Sequence, residues 1–299
     1  MPFIKTNSGT ESSPVQIFYQ EYGTGKPVIF IHGWPLNHEM WEYQMTQLPK
    51  HNLRCIAYDR RGFGKSDQPW GGYDYDTLAD DLHELISQLG LSSVSLVGFS
   101  MGGGEIARFI GKYGSEKIEK VVFVSSVTPF MLQTHNSPDG VEKYKFDDMI
   151  YQLSEDRPAF LEEFAKNFYG VGMLNQAVSK AILNWNQVQC LASSPKASID
   201  CVRSFSETDF KQDLAKINVP VLIIHGDEDL VVPIGISGNK TAHLLPNAEY
   251  IVYEDAPHGL FITEKDRLNA DLIDFLVGEP VSTQTEDEQI PLILNPSDL

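Results

Sequence analysis

The sequence predicts an α/β protein in which a mostly parallel sheet carries helices on both faces. Short runs rich in β-branched residues alternate along the chain with stretches that have the apolar spacing of amphipathic helices. The runs are apolar on both sides of the strand, as is typical of buried parallel strands. We therefore predict strands over residues 28–31, 54–58, 94–97, 121–124, 219–224 and 250–253.

Residues 15–22 predict a different kind of strand. Polar and apolar residues alternate more there, and the run ends at Gly23 and Gly25. Alternation indicates one buried and one exposed face, so we expect an antiparallel edge hairpin at this position.

Two helices have clear boundaries in the sequence. Leucines and isoleucines recur at helical spacing over residues 78–89, with Asp74 or Asp76 as the expected N-cap and Gly90 as the stop. The same spacing recurs over residues 268–276, and Thr263 is the residue expected to open that last helix.

The alternation of strands and helices is interrupted between residues 126 and 206. No strand pattern occurs there, and aromatic residues recur among short helical pieces: Phe146, Phe160, Phe164, Phe168, Tyr169 and Trp185. We interpret residues 126–206 as a helical cap inserted between two parts of an α/β core, 1–125 and 207–278. In the alternative, the segment is a plain helical subdomain whose aromatic residues form its own core. The last segment, 279–299, has five acidic and no basic residues, and we expect a flexible acidic tail.

The composition excludes several classes of function. The formal net charge of −18 disfavours binding to nucleic acid or to anionic lipid. No apolar run is long enough to span a membrane, and the first residues do not resemble a secretory signal. Three cysteines argue against a disulfide framework, although a bridge between Cys190 and Cys201 stays open, and Cys55 is expected in the core. We expect a cytoplasmic protein, and homo-oligomerisation stays open.

The pentapeptide Gly98-Phe99-Ser100-Met101-Gly102 is the clearest functional motif. It follows a predicted strand and precedes a helical stretch, which is the context of a nucleophile elbow. Such a turn is so tight that side chains beside the serine would collide, so glycine is needed two residues before and two after it. A flexible turn that matches the pattern by chance is the alternative.

A serine hydroxyl needs a base within hydrogen-bond reach and a group that orients this base. Of the eight histidines, His258 lies in a loop directly after a predicted strand, where this architecture places catalytic residues. His225 also ends a strand, but its acidic surroundings suggest a supporting role. The orienting acid should follow the preceding strand, and the spacing leaves three candidates: Asp227, Glu228 and Asp229.

The reaction also requires donors for an oxyanion, usually backbone N–H groups. Met101 follows the nucleophile and offers one such group at a helix N-terminus. Trp34, in the loop after the first parallel strand, is the candidate for the second, since Pro35 has no N–H. No cluster of residues with metal-ligand spacing is visible, so no metal or cofactor is expected.

Six motifs occur along the chain in the order that is typical of one protein family, and the likeness covers residues 15–277. They are HGWPL at 32–36, DRRGFGKS at 59–66, GFSMGGG at 98–104, FSETDF at 205–210, HGDED at 225–229 and APHG at 256–259. Together they resemble the α/β-hydrolase superfamily, and within it the bacterial arylesterases that are also described as cofactor-free haloperoxidases or perhydrolases.

The resemblance implies a role for each of the following residues. Ser100 would be the nucleophile, His258 the base and Asp229 its orienting acid. Trp34 and Met101 would donate the oxyanion N–H groups, and Val231 and Val232 would line the acyl pocket. It also implies a structural role for the Arg60-Arg61 pair, which could otherwise be taken for a phosphate-binding patch.

The function expected from these residues is that of a serine esterase for small esters. By the resemblance, hydrogen peroxide can replace water on the acyl-serine and give a peracid, and Pro35 is similar to members that favour this reaction. Hydrolysis of lactones or of carbon–carbon bonds in diketones is an alternative within the same fold. A hydrolase-like receptor for a small molecule is an alternative from another class.

Overall fold

A computed structural model describes residues 2–7, 13–172 and 176–278. Within these ranges eight strands form one sheet in the order β1-β2-β4-β3-β5-β6-β7-β8. The strands are β1 Phe3–Thr6, β2 Val15–Tyr22, β3 Lys26–Ile31, β4 Leu53–Tyr58, β5 Val94–Phe99, β6 Ile118–Val124, β7 Val221–Gly226 and β8 Glu249–Tyr253. The pairs β1–β2 and β2–β4 are antiparallel, and all other neighbours are parallel.

The predicted fold class is therefore confirmed, and each of the six predicted parallel strands is present. Strand β5 is buried along its whole length, which explains its apolar character on both sides. The alternating strand β2 is antiparallel as predicted, but it lies second from the edge because the short strand β1 pairs outside it. The strand that follows Gly23 and Gly25 is β3, which pairs with β4 and β5 and not with β2.

Ten α-helices connect and cover these strands within the described residues. They are α1 Glu42–Gln47, α2 Tyr75–Gln88, α3 Met101–Tyr113, α4 Lys143–Phe168, α5 Lys180–Leu191, α6 Pro195–Glu207, α7 Lys211–Leu214, α8 Gly238–Leu244, α9 Leu260–Thr263 and α10 Lys265–Val277. Helix α2 packs on α3 and on β1, and α3 packs on β5 and β6. Helix α1 packs on α10. None of these helices is long and apolar enough to cross a membrane.

The helix boundaries decide which residue caps α2 and correct the predicted start of the last helix. The carboxylate of Asp74 accepts a hydrogen bond from the backbone N–H of Thr77 at 3.0 Å, so Asp74 and not Asp76 caps α2. Gly90 follows the end of α2 with a φ of 65°, a backbone conformation that suits glycine. The prediction that Thr263 opens the last helix is wrong: Thr263 ends α9, and Glu264 separates α9 from α10.

The segment predicted as a cap contains helices α4, α5 and α6, of which α4 packs on the other two. Phe146, Phe168 and Tyr169 are buried, and the other aromatic residues named above are partly buried. The thiols of Cys190 and Cys201 are free and buried, so the bridge left open by the sequence is not formed. Cys55 lies in the core on β4. The division at residues 126 and 206 remains our proposal, and the predicted tail, 279–299, lies outside the described residues.

Candidate active site

The turn between β5 and α3 holds the candidate nucleophile. Strand β5 ends at Phe99 and α3 begins at Met101, so Ser100 alone makes the turn. Its backbone has φ 53° and ψ −117°, a conformation that costs a residue with a side chain about 1–3 kcal/mol. The surrounding packing enforces this strained backbone, which holds the hydroxyl at the end of the strand.

Two glycines allow the backbone to pass this closely. A Cβ atom on Gly98 would lie 2.6 Å from the carbonyl oxygen of Gly102, across the turn. A Cβ atom on Gly102 would lie 2.5 Å from the carbonyl oxygen of Ile31 at the end of β3. Both distances are too short for real atoms, so the spacing of the motif reflects two specific close approaches.

Ser100, His258 and Asp229 form one hydrogen-bonded chain. The Oγ of Ser100 lies 3.0 Å from Nε2 of His258, and Nδ1 of His258 lies 2.6 Å from Oδ2 of Asp229. The exposed fraction is 5% for Ser100, 4% for Asp229 and 0% for His258. The residues are far apart in sequence, and they meet because β5, β6, β7 and β8 are neighbours whose carboxyl ends share one edge of the sheet.

The structure separates the three acidic candidates. Asp227 and Glu228 are exposed, whereas Asp229 is buried against the imidazole. The second carboxylate oxygen of Asp229, Oδ1, accepts hydrogen bonds from the backbone N–H groups of Val231 at 2.9 Å and Val232 at 2.7 Å. These two donors fix the carboxylate, and no sequence pattern predicts these hydrogen bonds.

The charge state of Asp229 follows from its neighbours. Burial alone would raise the pKa of this carboxyl, but the attraction of His258 and hydrogen bonds from His225 and His258 hold it well below its usual range. Nε2 of His225 lies 3.3 Å from Oδ2 of Asp229 and donates a hydrogen bond to the carbonyl oxygen of Val232 at 2.9 Å. His225 is thus placed beside the acid, as a support, and not beside the hydroxyl.

Aromatic rings hold the imidazole of His258. The ring centroids of Phe99 and Phe168 lie 4.8 Å and 4.9 Å from its own. The backbone N–H of Gly259 donates to the carbonyl oxygen of Phe168 at 2.6 Å, which ties the histidine loop to the end of α4. Sequence spacing carries no signal for these contacts, because they join three separate parts of the chain.

The two predicted oxyanion donors flank the turn. Met101 is the first residue of α3, so its N–H has no acceptor within the helix. The backbone N–H of Trp34 makes no hydrogen bond to any described residue. The indole Nε1 of Trp34 donates to the carbonyl oxygen of Ser198 at 2.9 Å, which joins the loop to α6. The peptide bond between Trp34 and Pro35 is cis.

A buried polar network supports the Trp34 loop. His32 donates from Nδ1 to the carbonyl oxygen of Gly33 at 2.8 Å, and its Nε2 accepts from the backbone N–H of Arg60 at 3.0 Å. Burial and the nearby guanidinium of Arg60 hold the pKa of His32 well below its ordinary value, so the ring is neutral. Arg60 in turn donates to the carboxylate of Glu105 at 2.8 Å.

The structure favours the structural interpretation of the two arginines. Both guanidinium groups are buried, Arg60 against Glu105 and Arg61 against Asp81 at 2.6 Å. An arginine that is buried and paired with a carboxylate presents no open patch to a phosphate group.

A cavity of about 360 Å³ opens above Ser100. Its wall is largely apolar and comes from the predicted cap and from the loop after β7. The lining residues are Trp34, Ser100, Val127, Met131, Val141, Lys145, Phe146, Met149, Phe164, Asn167, Phe205, Leu230, Val231, Val232 and Pro233. Val231 and Val232 therefore both hold Asp229 and line the cavity.

Metal binding finds no support in the described part of the chain. Across residues 2–7, 13–172 and 176–278, no three His, Cys, Asp or Glu side chains are grouped so that they could hold a metal ion.

Comparisons with known proteins identify the family of this chain. The family model described as alpha/beta hydrolase fold matches residues 26–265. The chain is 41% identical over 280 residues to the bifunctional esterase/perhydrolase DCH of Acinetobacter calcoaceticus, covering 92% of this chain and 99% of that one. It is 40% identical over 278 residues to the non-heme chloroperoxidase CPO-A1 of Kitasatospora aureofaciens, with the same coverage. The solved structure of a bromoperoxidase from Bacillus anthracis superposes with a TM-score of 0.87 at 45% identity, covering 92% of this chain and 99% of that one.

Proposed function

Because the chain belongs to the alpha/beta hydrolase fold family, we propose that it is a serine esterase that forms an acyl-serine intermediate on Ser100. The observation that carries the proposal is the continuous hydrogen-bonded chain from the hydroxyl of Ser100 through His258 to Asp229. The relatives named above include an esterase/perhydrolase, which supports the same chemistry.

In the acylation step, the Oγ of Ser100 attacks the ester carbonyl while Nε2 of His258 takes its proton. Asp229 keeps the imidazole in the tautomer with hydrogen on Nδ1 and stabilises the imidazolium that forms. The backbone N–H groups of Trp34 and Met101 donate to the oxyanion of the tetrahedral intermediate. His258 then gives its proton to the leaving alcohol as the carbon–oxygen bond breaks.

In the second step, the acyl group leaves Ser100. Water attacks the acyl carbonyl, His258 takes its proton, and the Oγ of Ser100 leaves and is protonated again, which releases a carboxylic acid. If hydrogen peroxide attacks in place of water, the product is a peracid, which can oxidise halide in solution. Every proton transfer in these steps uses a side chain of this protein.

The cavity supports a proposal about the size and polarity of the substrate. Its wall is mostly apolar, and its volume of about 360 Å³ lies at the lower end of the range of small-molecule sites. Val231 and Val232 lie beside the candidate triad and would contact the acyl chain. We therefore propose small esters with short acyl chains and alkyl or aryl alcohols as substrates.

The proposal is tested with 4-nitrophenyl acetate. Wild-type protein should release nitrophenolate, and Ser100→Ala should lose nearly all turnover because no other hydroxyl lies in the chain of hydrogen bonds. Ser93→Ala, the same substitution at an exposed serine, is the control. Wild-type turnover in Ser100→Ala would refute the assignment.

The peroxide reaction has its own assay. Acetate, bromide and hydrogen peroxide should brominate monochlorodimedone in the presence of wild-type protein and not in the presence of Ser100→Ala. No product above the blank would exclude this activity while leaving the esterase proposal intact. Lactones and diketones in the same substrate panel would reveal the alternative hydrolase activities.

A further inference from the structure

Among the described residues that line the cavity, one side chain carries a charge. Lys145, the third residue of α4, is exposed and lines the same cavity as Ser100, and no aspartate or glutamate is among the described lining residues. The remaining lining groups besides Ser100 are apolar, except for the exposed amide of Asn167. The cavity therefore has a positive entrance in a chain whose formal net charge is −18.

Within the described residues, the ammonium group of Lys145 has no ion pair and no hydrogen bond. Its neighbour Lys143, also exposed on the first turn of α4, pairs with Asp147 at 2.7 Å. Lys166, beside Asn167 at the other end of this helix, pairs with Glu163. Of these three lysines, only Lys145 has no acidic partner among the described residues, whereas Lys143 and Lys166 each form an ion pair within α4.

Local helix energetics do not explain the lysine. The N-terminus of a helix carries partial positive charge, so a cation in the first turn costs about 0.3–1 kcal/mol. The N-cap residue Glu142 is acidic and offsets part of this cost, and no residue of the first turn itself is acidic. Lysine buries its aliphatic stem along apolar surface and keeps its ammonium in water, which suits the mouth of an apolar cavity.

We propose that Lys145 selects anionic esters, namely half-esters of short dicarboxylic acids whose free carboxylate lies at the end remote from the ester carbonyl. This inference rests on the proposed esterase function and names its substrate class. The ester carbonyl would lie at Ser100, the methylene chain against the apolar wall, and the free carboxylate at the ammonium of Lys145. The same chemistry would attract a lactone that bears a carboxylate.

The test compares two esters of the same shape, monomethyl glutarate and methyl 4-carbamoylbutanoate, in which an amide replaces the carboxylate. The readout is the ratio of kcat/KM for the two esters, measured by proton release. Lys145→Met should lower the ratio by about threefold to fivefold, the range of a partly solvated ion pair. Lys145→Glu should lower it further, Lys145→Arg should retain it, and high salt should reduce the wild-type preference.

Lys143→Met is the matched control, because it removes a neighbouring lysine that does not line the cavity. An unchanged ratio in Lys145→Met, or an equal change in Lys143→Met, would overturn the inference.

A binding measurement separates this inference from the proposed function. Calorimetry with Ser100→Ala should give weaker binding of monomethyl glutarate when Lys145→Met is added, whether or not the wild-type protein hydrolyses esters. Failure of 4-nitrophenyl acetate hydrolysis refutes the esterase proposal. Equal binding by the single and double variants refutes the role of Lys145.

Discussion

Replacement of Asp229 by asparagine tests the candidate triad most directly. In Asp229→Asn, the amide oxygen must stay where Oδ1 accepts from the N–H groups of Val231 and Val232, since an amide nitrogen there would face two donors. The NH₂ group then occupies the position of Oδ2, 2.6 Å from Nδ1 of His258, and donates to it. The imidazole is forced to carry its hydrogen on Nε2, where it faces Ser100 and can no longer accept the hydroxyl proton.

We expect kcat to fall by about 10⁴-fold, the effect of a wrong histidine tautomer in a serine triad. This corresponds to about 5 kcal/mol of lost transition-state stabilisation. KM should change far less, because Asp229 does not line the cavity. The assay is the initial rate with 4-nitrophenyl acetate over a range of concentrations, with circular dichroism to show that the variant is folded.

Asp227→Asn and Glu228→Gln are the controls, because the spacing of the sequence leaves these residues as equal candidates, yet both are exposed. Each should retain kcat within about twofold, as surface substitutions usually do. A folded Asp229→Asn variant with more than a tenth of wild-type kcat, or a comparable loss in Asp227→Asn, would refute the reasoning.

Three further predictions concern stability. The pKa of Asp229 is lower in the folded chain than in the unfolded chain, so the folded state binds fewer protons. The ionised carboxylate therefore stabilises the folded state above pH about 4, and this stabilisation is lost as the pH falls further. Urea unfolding should therefore show a larger difference between wild type and Asp229→Asn at pH 5 than at pH 3. Gly102→Ala should destabilise the protein by about 1–3 kcal/mol, because its Cβ would lie 2.5 Å from a backbone oxygen of β3. Gly71→Ala should cost much less in the same denaturation assay, because its Cβ would have no described atom within 4 Å apart from the adjacent residues. Arg60→Met should lower the free energy of unfolding by about 3–5 kcal/mol, because it leaves the buried carboxylate of Glu105 without its ion-pair partner. Addition of Glu105→Leu should recover part of that loss. If the effects of the two substitutions simply add in the double variant, the reasoning is contradicted.

The sequence by itself determined those elements whose residue pattern depends only on neighbouring positions along the chain. Two-sided apolar runs predicted the parallel strands, and the glycines around Ser100 predicted the tight turn, because each pattern reflects geometry within a few residues. The position of His258 after a strand was likewise enough to single it out among eight histidines. The opening of the last helix was mispredicted, because Glu264 interrupts the helical geometry without any glycine or proline to mark the break.

The spacing of residues left Asp227, Glu228 and Asp229 open, the family resemblance implied Asp229, and only the tertiary structure shows which carboxylate contacts the imidazole. They are consecutive on one turn, and the choice depends on which carboxylate the neighbouring strand β8 and the loop with Val232 bury against the imidazole. The aromatic contacts of His258, the free thiols of the predicted cap and the position of Lys145 at the cavity also depend on contacts between distant segments. Such contacts depend on the order of the strands in the sheet and on the packing of the helices above it, and the spacing of residues along one segment carries no information about either.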